Sequence, residues 1–110
     1  MEAFEIADII ARARPDAPYV EFLRYPSLSV GVYRLPAGGV DRQQPHSEDE
    51  VYYVLSGRGR ITVGTEQRAV EPGSTIFVAA GVEHHFHDFT AELTLLVLFA
   101  PAEYTRRDQA

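Results

Sequence analysis

The chain contains no cysteine. A disulfide framework, a thiolate metal site and a cysteine nucleophile are thereby excluded, and any metal ion would have to be held by nitrogen and oxygen donors. Basic residues are in deficit too, with ten Lys and Arg against 16 Asp and Glu, for a formal net charge of −6. Such a chain repels a phosphate backbone unless its cations gather on one face, and the nearest pairs, Arg58 with Arg60 and Arg106 with Arg107, read as solvated surface. Nucleic acid is not an expected partner. The apolar stretch 94–101 is far shorter than a membrane span, and the acidic start Met1-Glu2-Ala3-Phe4-Glu5 has neither the basic nor the apolar region of a secretory signal. The expectation is a cytoplasmic protein without membrane contact. No serine-nucleophile motif is present, and no phosphate-binding glycine loop either, because Gly57-Arg58-Gly59 is followed by no helical pattern and reads as a hairpin corner.

What is present is an ordinary globular composition, 45% apolar and 24% charged, in 110 residues, enough for one domain with a core and too few for two. Phe4, Ile6, Ile9, Ile10 and Ala13 suit one face of a helix over residues 2–14, and Pro15, Asp16 and Pro18 end it. From Tyr19 onward, short runs rich in Val, Ile, Leu, Tyr and Phe alternate with glycine and proline clusters. They predict strands at Tyr19–Tyr25, Leu28–Leu35, 41–46, 50–56, 58–63, Glu66–Val70, Thr75–Val78, 83–88 and Leu93–Ala100. Eight or nine short strands with no second helical segment predict an all-β sandwich or barrel, with a jelly roll natural at this size. The division expected is a helix and linker over 1–18, a barrel over 19–104 and a frayed tail over 105–110.

Four residues carry candidate chemistry: Gln44, His46, Glu50 and His84. Side chains alternate across a strand, so Gln44 and His46 share a face, and Glu50 can return to it on the following strand. A carboxylate buried beside imidazoles is costly unless a cation neutralises it, so a metal ion explains the grouping better than packing does. His84 then enters from a strand some forty residues later. Tyr52 and Phe86 share parity with Glu50 and His84, which makes them either pocket lining or plain barrel core. His85 and His87 read as surface or satisfied histidines facing away from His84, and Glu48 and Asp49 as solvated loop acids.

The run Gly38-(five)-Gln44-Pro45-His46-(three)-Glu50-(six)-Gly57 resembles the first cupin motif, with Gln44 in the place of its first histidine. Gly64, the turn Pro72-Gly73 and Ala79-Ala80-Gly81-Val82-Glu83-His84 resemble the second, with Ala79 where proline is common and Asp88 where asparagine is common. The likeness spans roughly residues 28–99 and implies a small single-domain cupin, a jelly-roll barrel of the RmlC-like kind. Cupins with the full pattern hold one metal through three histidines and a glutamate. Here one imidazole is replaced by an amide, whose carbonyl ligates more weakly and whose NH2 can instead orient water or substrate. The two histidines and one carboxylate left are a set known from non-haem Fe(II) oxygenases, and they also suit Mn, Ni, Co or Zn.

The resemblance implies a metal-dependent enzyme acting on a small organic molecule inside the barrel, with Glu50 as a candidate general base as well as a ligand. Dioxygenase chemistry ranks slightly ahead of isomerase, lyase or cyclase chemistry. The alternative is a non-catalytic module that binds or senses a small, sugar-like ligand. Single-domain cupins also suggest a homodimer, formed through the edge near Tyr19–Tyr25 or through the N-terminal helix.

Overall fold

A computed structural model describes residues 1–41 and 45–105. One short helix and eight strands follow in chain order: α1 (Ile6–Ile10), β1 (Tyr19–Tyr25), β2 (Leu28–Leu35), β3 (Asp49–Ser56), β4 (Gly59–Val63), β5 (Glu66–Val70), β6 (Thr75–Val78), β7 (His84–His87) and β8 (Leu93–Ala100). The strands form two antiparallel sheets, ordered β1-β2-β8-β3-β6 and β5-β4-β7. Both sheets feed one core: Tyr33, Leu35, Tyr52, Val54, Leu93, Leu95, Val97 and Phe99 come from the larger, Ile61, Val70 and Phe86 from the smaller. This is the all-β jelly roll expected from the strand pattern.

The inner faces follow the period of two. On β8 the residues Leu93, Leu95, Val97 and Phe99 are buried, and on β3 they are Glu50, Tyr52 and Val54. The strand β2 is buried on both faces, because Tyr33 and Leu35 enter the core while α1 packs on the same strand, bringing the buried Ile9 with it.

The helix is shorter than the predicted 2–14. Its N-terminal residue Glu5 makes no side-chain cap, and Ile9 is its one buried residue, so little holds a longer helix against fraying. The strand expected at 41–46 is not seen at its described residues. Asp41, Pro45 and His46 are outside any strand, and residues 42–44 are outside the described residues. Of the predicted tail, Thr105 lies in a turn, and 106–110 are outside the described residues.

Asp41 instead ties the two sheets together. It is buried, accepts the Tyr33 hydroxyl from β2 at 3.0 Å, and accepts the Phe86 backbone N–H from β7 at 2.8 Å. Because β7 is an edge strand, one row of its backbone groups lacks a sheet partner, and the carboxylate supplies an acceptor for that row. Asp41→Ala orphans two buried donors and is expected to lower unfolding free energy by roughly 2–4 kcal/mol. Urea denaturation reads this directly, and Asp41→Asn, which keeps one acceptor oxygen, should lose less.

Two motif positions have local causes. Gly57 has φ +91°, and a Cβ there would lie 2.3 Å from the Glu92 carbonyl oxygen, so neither the conformation nor the space admits a side chain. Asp88 has φ +55°, a left-handed conformation that Asn and Asp tolerate better than other non-glycine residues, so aspartate is a mild replacement for the usual asparagine.

Candidate metal centre

Glu50 lies on β3, between Val78 of β6 and Phe99 of β8, and points into the space between the sheets. His84 begins β7, opposite Val63 of β4. His46 stands on the segment leading into β3 rather than on a strand, so strand parity does not orient it. Two hydrogen bonds do. The N–H of Gly81 donates to the His46 carbonyl at 2.7 Å, and the N–H of Ala80 donates to Asp49 Oδ1 at 2.9 Å. The turn three residues before His84 is thus fastened to the segment that carries His46. Asp49 is not a solvated loop acid, because it binds this turn.

The three side chains converge. His84 Nε2 is 3.0 Å and His46 Nδ1 is 3.5 Å from Glu50 Oε1, and one ligand atom from each residue lies within 4.8 Å of the others. Donors about 2.1 Å from a common ion sit about 3.0 Å apart at right angles and about 3.4 Å apart at the tetrahedral angle, so the two shorter separations suit shared coordination. Glu50 is 1% exposed, and among the described residues neither of its carboxylate oxygens has a hydrogen-bond partner; His46 Nδ1 is also buried without one there. An ionised carboxylate in that condition calls for a cation. Burial pushes the Glu50 carboxyl up, but His46, His84 and Tyr52 outweigh it and hold the group below its ordinary range. For His84 burial lowers the pKa, whereas Glu50 and the Val82 carbonyl raise it, with a net rise.

The imidazole of His84 is oriented from behind. Its Nδ1 is 2.9 Å from the Val82 carbonyl oxygen, an acceptor only, so in the neutral ring Nδ1 keeps the proton and Nε2, on the Glu50 side, is the nitrogen free to ligate. The Tyr52 hydroxyl lies 2.9 Å from the same Nε2. Tyr52 therefore touches the cluster, whereas Phe86 packs edge-on against the Tyr52 ring at 4.9 Å and belongs to the core beneath. His85 is exposed, and His87 turns to the Thr62 hydroxyl at 2.7 Å, both away from the cluster. Gln44 lies outside the described residues.

Three residues close to the site had no signal in the sequence. Glu103, after β8, places Oε2 2.9 Å from His46 Nε2. Glu48, expected in solvent, is 1% exposed and accepts the Tyr104 N–H at 2.7 Å. Tyr19 on β1 lies across Gly31 of β2, where a Cβ would be 2.3 Å from its ring, and edge-on to Phe99, whose ring is 4.6 Å from His46. The Tyr19 hydroxyl is buried with no hydrogen-bond partner among the described residues. Burial raises its pKa, and the charges of Glu103, Glu21 and Glu50 raise it further, so it stays a neutral donor.

A family model described as "Cupin domain" matches residues 31–99. The chain belongs to the cupin family. An uncharacterized protein of Streptomyces coelicolor is 49% identical to this cupin over 104 residues, covering 94% of this chain and 99% of the relative. The crystal structure of TT1209 from Thermus thermophilus matches with a TM-score of 0.77 at 27% identity, over 93% of this cupin and 99% of that chain. Salicylate 1,2-dioxygenase of Pseudoaminobacter salicylatoxidans matches with a TM-score of 0.68 at 18% identity, over 74% of this cupin and 24% of that chain, a likeness of fold. Among the described residues no helix is long and apolar enough to cross a membrane.

Proposed function

We propose that this cupin is a metal-dependent enzyme that acts on a small organic molecule between its sheets, with His46, Glu50 and His84 holding one divalent ion of the Fe, Mn, Ni, Co or Zn group. The observation that carries this reading is Glu50: a fully buried carboxylate with no hydrogen-bond donor among the described residues, facing nitrogens of two imidazoles. A bound ion would polarise a carbonyl or enol oxygen of the substrate and lower the pKa of a bound water. The protein residues do the rest. The Val82 carbonyl holds the His84 tautomer, Tyr52 contacts the ligand nitrogen, and Glu50 is the carboxylate placed to take a proton. Two histidines and one carboxylate leave coordination positions for O2 and substrate, which ranks dioxygenation ahead of isomerase or lyase chemistry.

Metal analysis of untagged protein, with His46→Ala, His84→Ala and Gln44→Ala beside the wild type, tests the site. Near-stoichiometric metal lost in both histidine variants supports it, and Gln44→Ala decides whether the amide is a ligand. Wild-type protein that neither carries nor takes up divalent ions rejects it in favour of a binding module. Oxygen uptake with candidate substrates tests the reaction class, and turnover without O2 would remove the dioxygenase assignment.

Tyr19 gives an independent handle on ligand contact. Tyr19→Phe removes a buried hydroxyl that has no partner, and is expected to raise unfolding free energy by about 1 kcal/mol. Ligand binding or turnover should fall in the same variant, because the hydroxyl is a neutral donor held ready for a guest. A variant that is both destabilised and fully active would show that the hydroxyl serves packing alone. A homodimer through the β1 edge is proposed with this reading, supported by the position of β1 at the end of its sheet and by exposed Tyr25 and Phe4. Sedimentation as a monomer at micromolar concentration would remove it.

A further inference from the structure

Accepting the metal site proposed above, we propose that Glu103, outside both cupin motifs, is the positioning residue that makes His46 a ligand through Nδ1, while His84 ligates through Nε2.

A neutral imidazole carries one proton, and the nitrogen that faces an acceptor keeps it. At His84 the acceptor is the Val82 carbonyl, 2.9 Å from Nδ1, so Nε2 faces Glu50. At His46 the order is reversed. The Glu103 carboxylate is 2.9 Å from Nε2, whereas Nδ1 is buried, has no hydrogen-bond partner among the described residues and is the nitrogen that faces Glu50. The two rings therefore present opposite nitrogens to one point. A carboxylate behind a ligating histidine fixes its tautomer and increases its basicity, so Glu103 stands to His46 as the Val82 carbonyl stands to His84, with a full negative charge added.

The segment that carries Glu103 is held by its backbone and not by the carboxylate. The Glu103 N–H donates to Ser29 Oγ at 2.9 Å, and its carbonyl accepts Arg24 Nη2 at 2.8 Å. The neighbouring Ala102 N–H donates to the Pro26 carbonyl at 3.4 Å, and the Tyr104 N–H donates to buried Glu48. These bonds join the segment after β8 to the β1–β2 hairpin and to the residues just before β3. Glu103→Gln leaves all of them in place and changes only the charge behind His46. A purely structural Glu103–His46 contact predicts lower stability on substitution and unchanged metal affinity, whereas the positioning role predicts weaker metal affinity whatever the change in stability.

The test uses the full chain labelled with 15N and titrated with Zn2+, a diamagnetic probe. Long-range 1H–15N correlation should show His46 metallated at Nδ1 and protonated at Nε2, with His84 the reverse. Glu103→Gln and Glu103→Ala should weaken Zn2+ binding by about 10- to 100-fold. The thermal midpoint of each chelated variant shows that it is folded at the titration temperature, and affinity measured well below that midpoint separates lost affinity from lost folding. Coordination of His46 through Nε2, or wild-type Zn2+ affinity in Glu103→Gln, overturns the role of Glu103 and leaves the metal site standing. A wild-type chain that binds no Zn2+ overturns both.

Discussion

Chelated protein given a divalent cation at a hundred times its dissociation constant is expected to gain about 2.7 kcal/mol of unfolding free energy, and a thermal midpoint roughly 10 °C higher. The gain follows from linkage, since an ion that binds the folded chain and not the unfolded one stabilises the former by mass action. His84→Ala and Glu50→Ala should abolish it, for different reasons. Without His84 the site keeps one imidazole, and the carboxylate of Glu50 loses its nearest nitrogen, at 3.0 Å. Without Glu50 the two imidazoles remain but the negative charge that favours a dication is gone. His85→Ala is the control, because His85 is exposed on the opposite face of the same strand. Differential scanning calorimetry with and without Mn2+ or Zn2+ reads all four proteins. An equal rise in His84→Ala would place the binding site elsewhere.

Much of this architecture is legible because strands impose a strict period. Glu50 and Tyr52 on β3, and His84 and Phe86 on β7, are buried in step with the alternation, and Gly57 and Gly64 mark the turns that follow β3 and β4. What escapes the sequence arrives from far along the chain. Glu48 and Asp49 read as loop acids because acidic residues default to water, yet their acceptors are taken by the amides of Tyr104 and Ala80. Glu103 reads as part of an unremarkable C-terminal stretch, since nothing in Pro101-Ala102-Glu103-Tyr104 signals that it folds back under the β1–β2 hairpin. Asp41 misleads in the same manner: it reads as the first residue of a strand, whereas its carboxylate serves two donors 8 and 45 residues away. Local pattern fixes which face a strand residue takes, and long-range hydrogen bonds decide which loop acids are buried.

The metal-free protein should respond to pH in the opposite sense from metal binding. Burial disfavours charge on His46, but the carboxylates of Glu103 and Glu50, 2.9 Å from Nε2 and 3.5 Å from Nδ1, prevail and lift its pKa from about 6.5 to about 9; His84 shifts in the same direction. A folded-state pKa above the unfolded value contributes stability that is complete below about pH 6.5 and is lost as pH rises through about 9. For His46 that contribution has an upper bound of about 3 kcal/mol, at about 1.4 kcal/mol per pKa unit. Glu50, held below the ordinary carboxylate range, adds stability that disappears only as pH falls into the acid region. Chelated protein should therefore be most stable in mildly acidic solution and lose stability toward pH 9. Metal uptake runs the other way, because each imidazole must release a proton to ligate, so affinity should rise by about tenfold per pH unit for each proton displaced. Thermal unfolding of chelated protein from pH 6 to pH 9, beside metal titrations over the same range, measures both slopes. Flat stability across that interval would mean that His46 is not held protonated between Glu50 and Glu103.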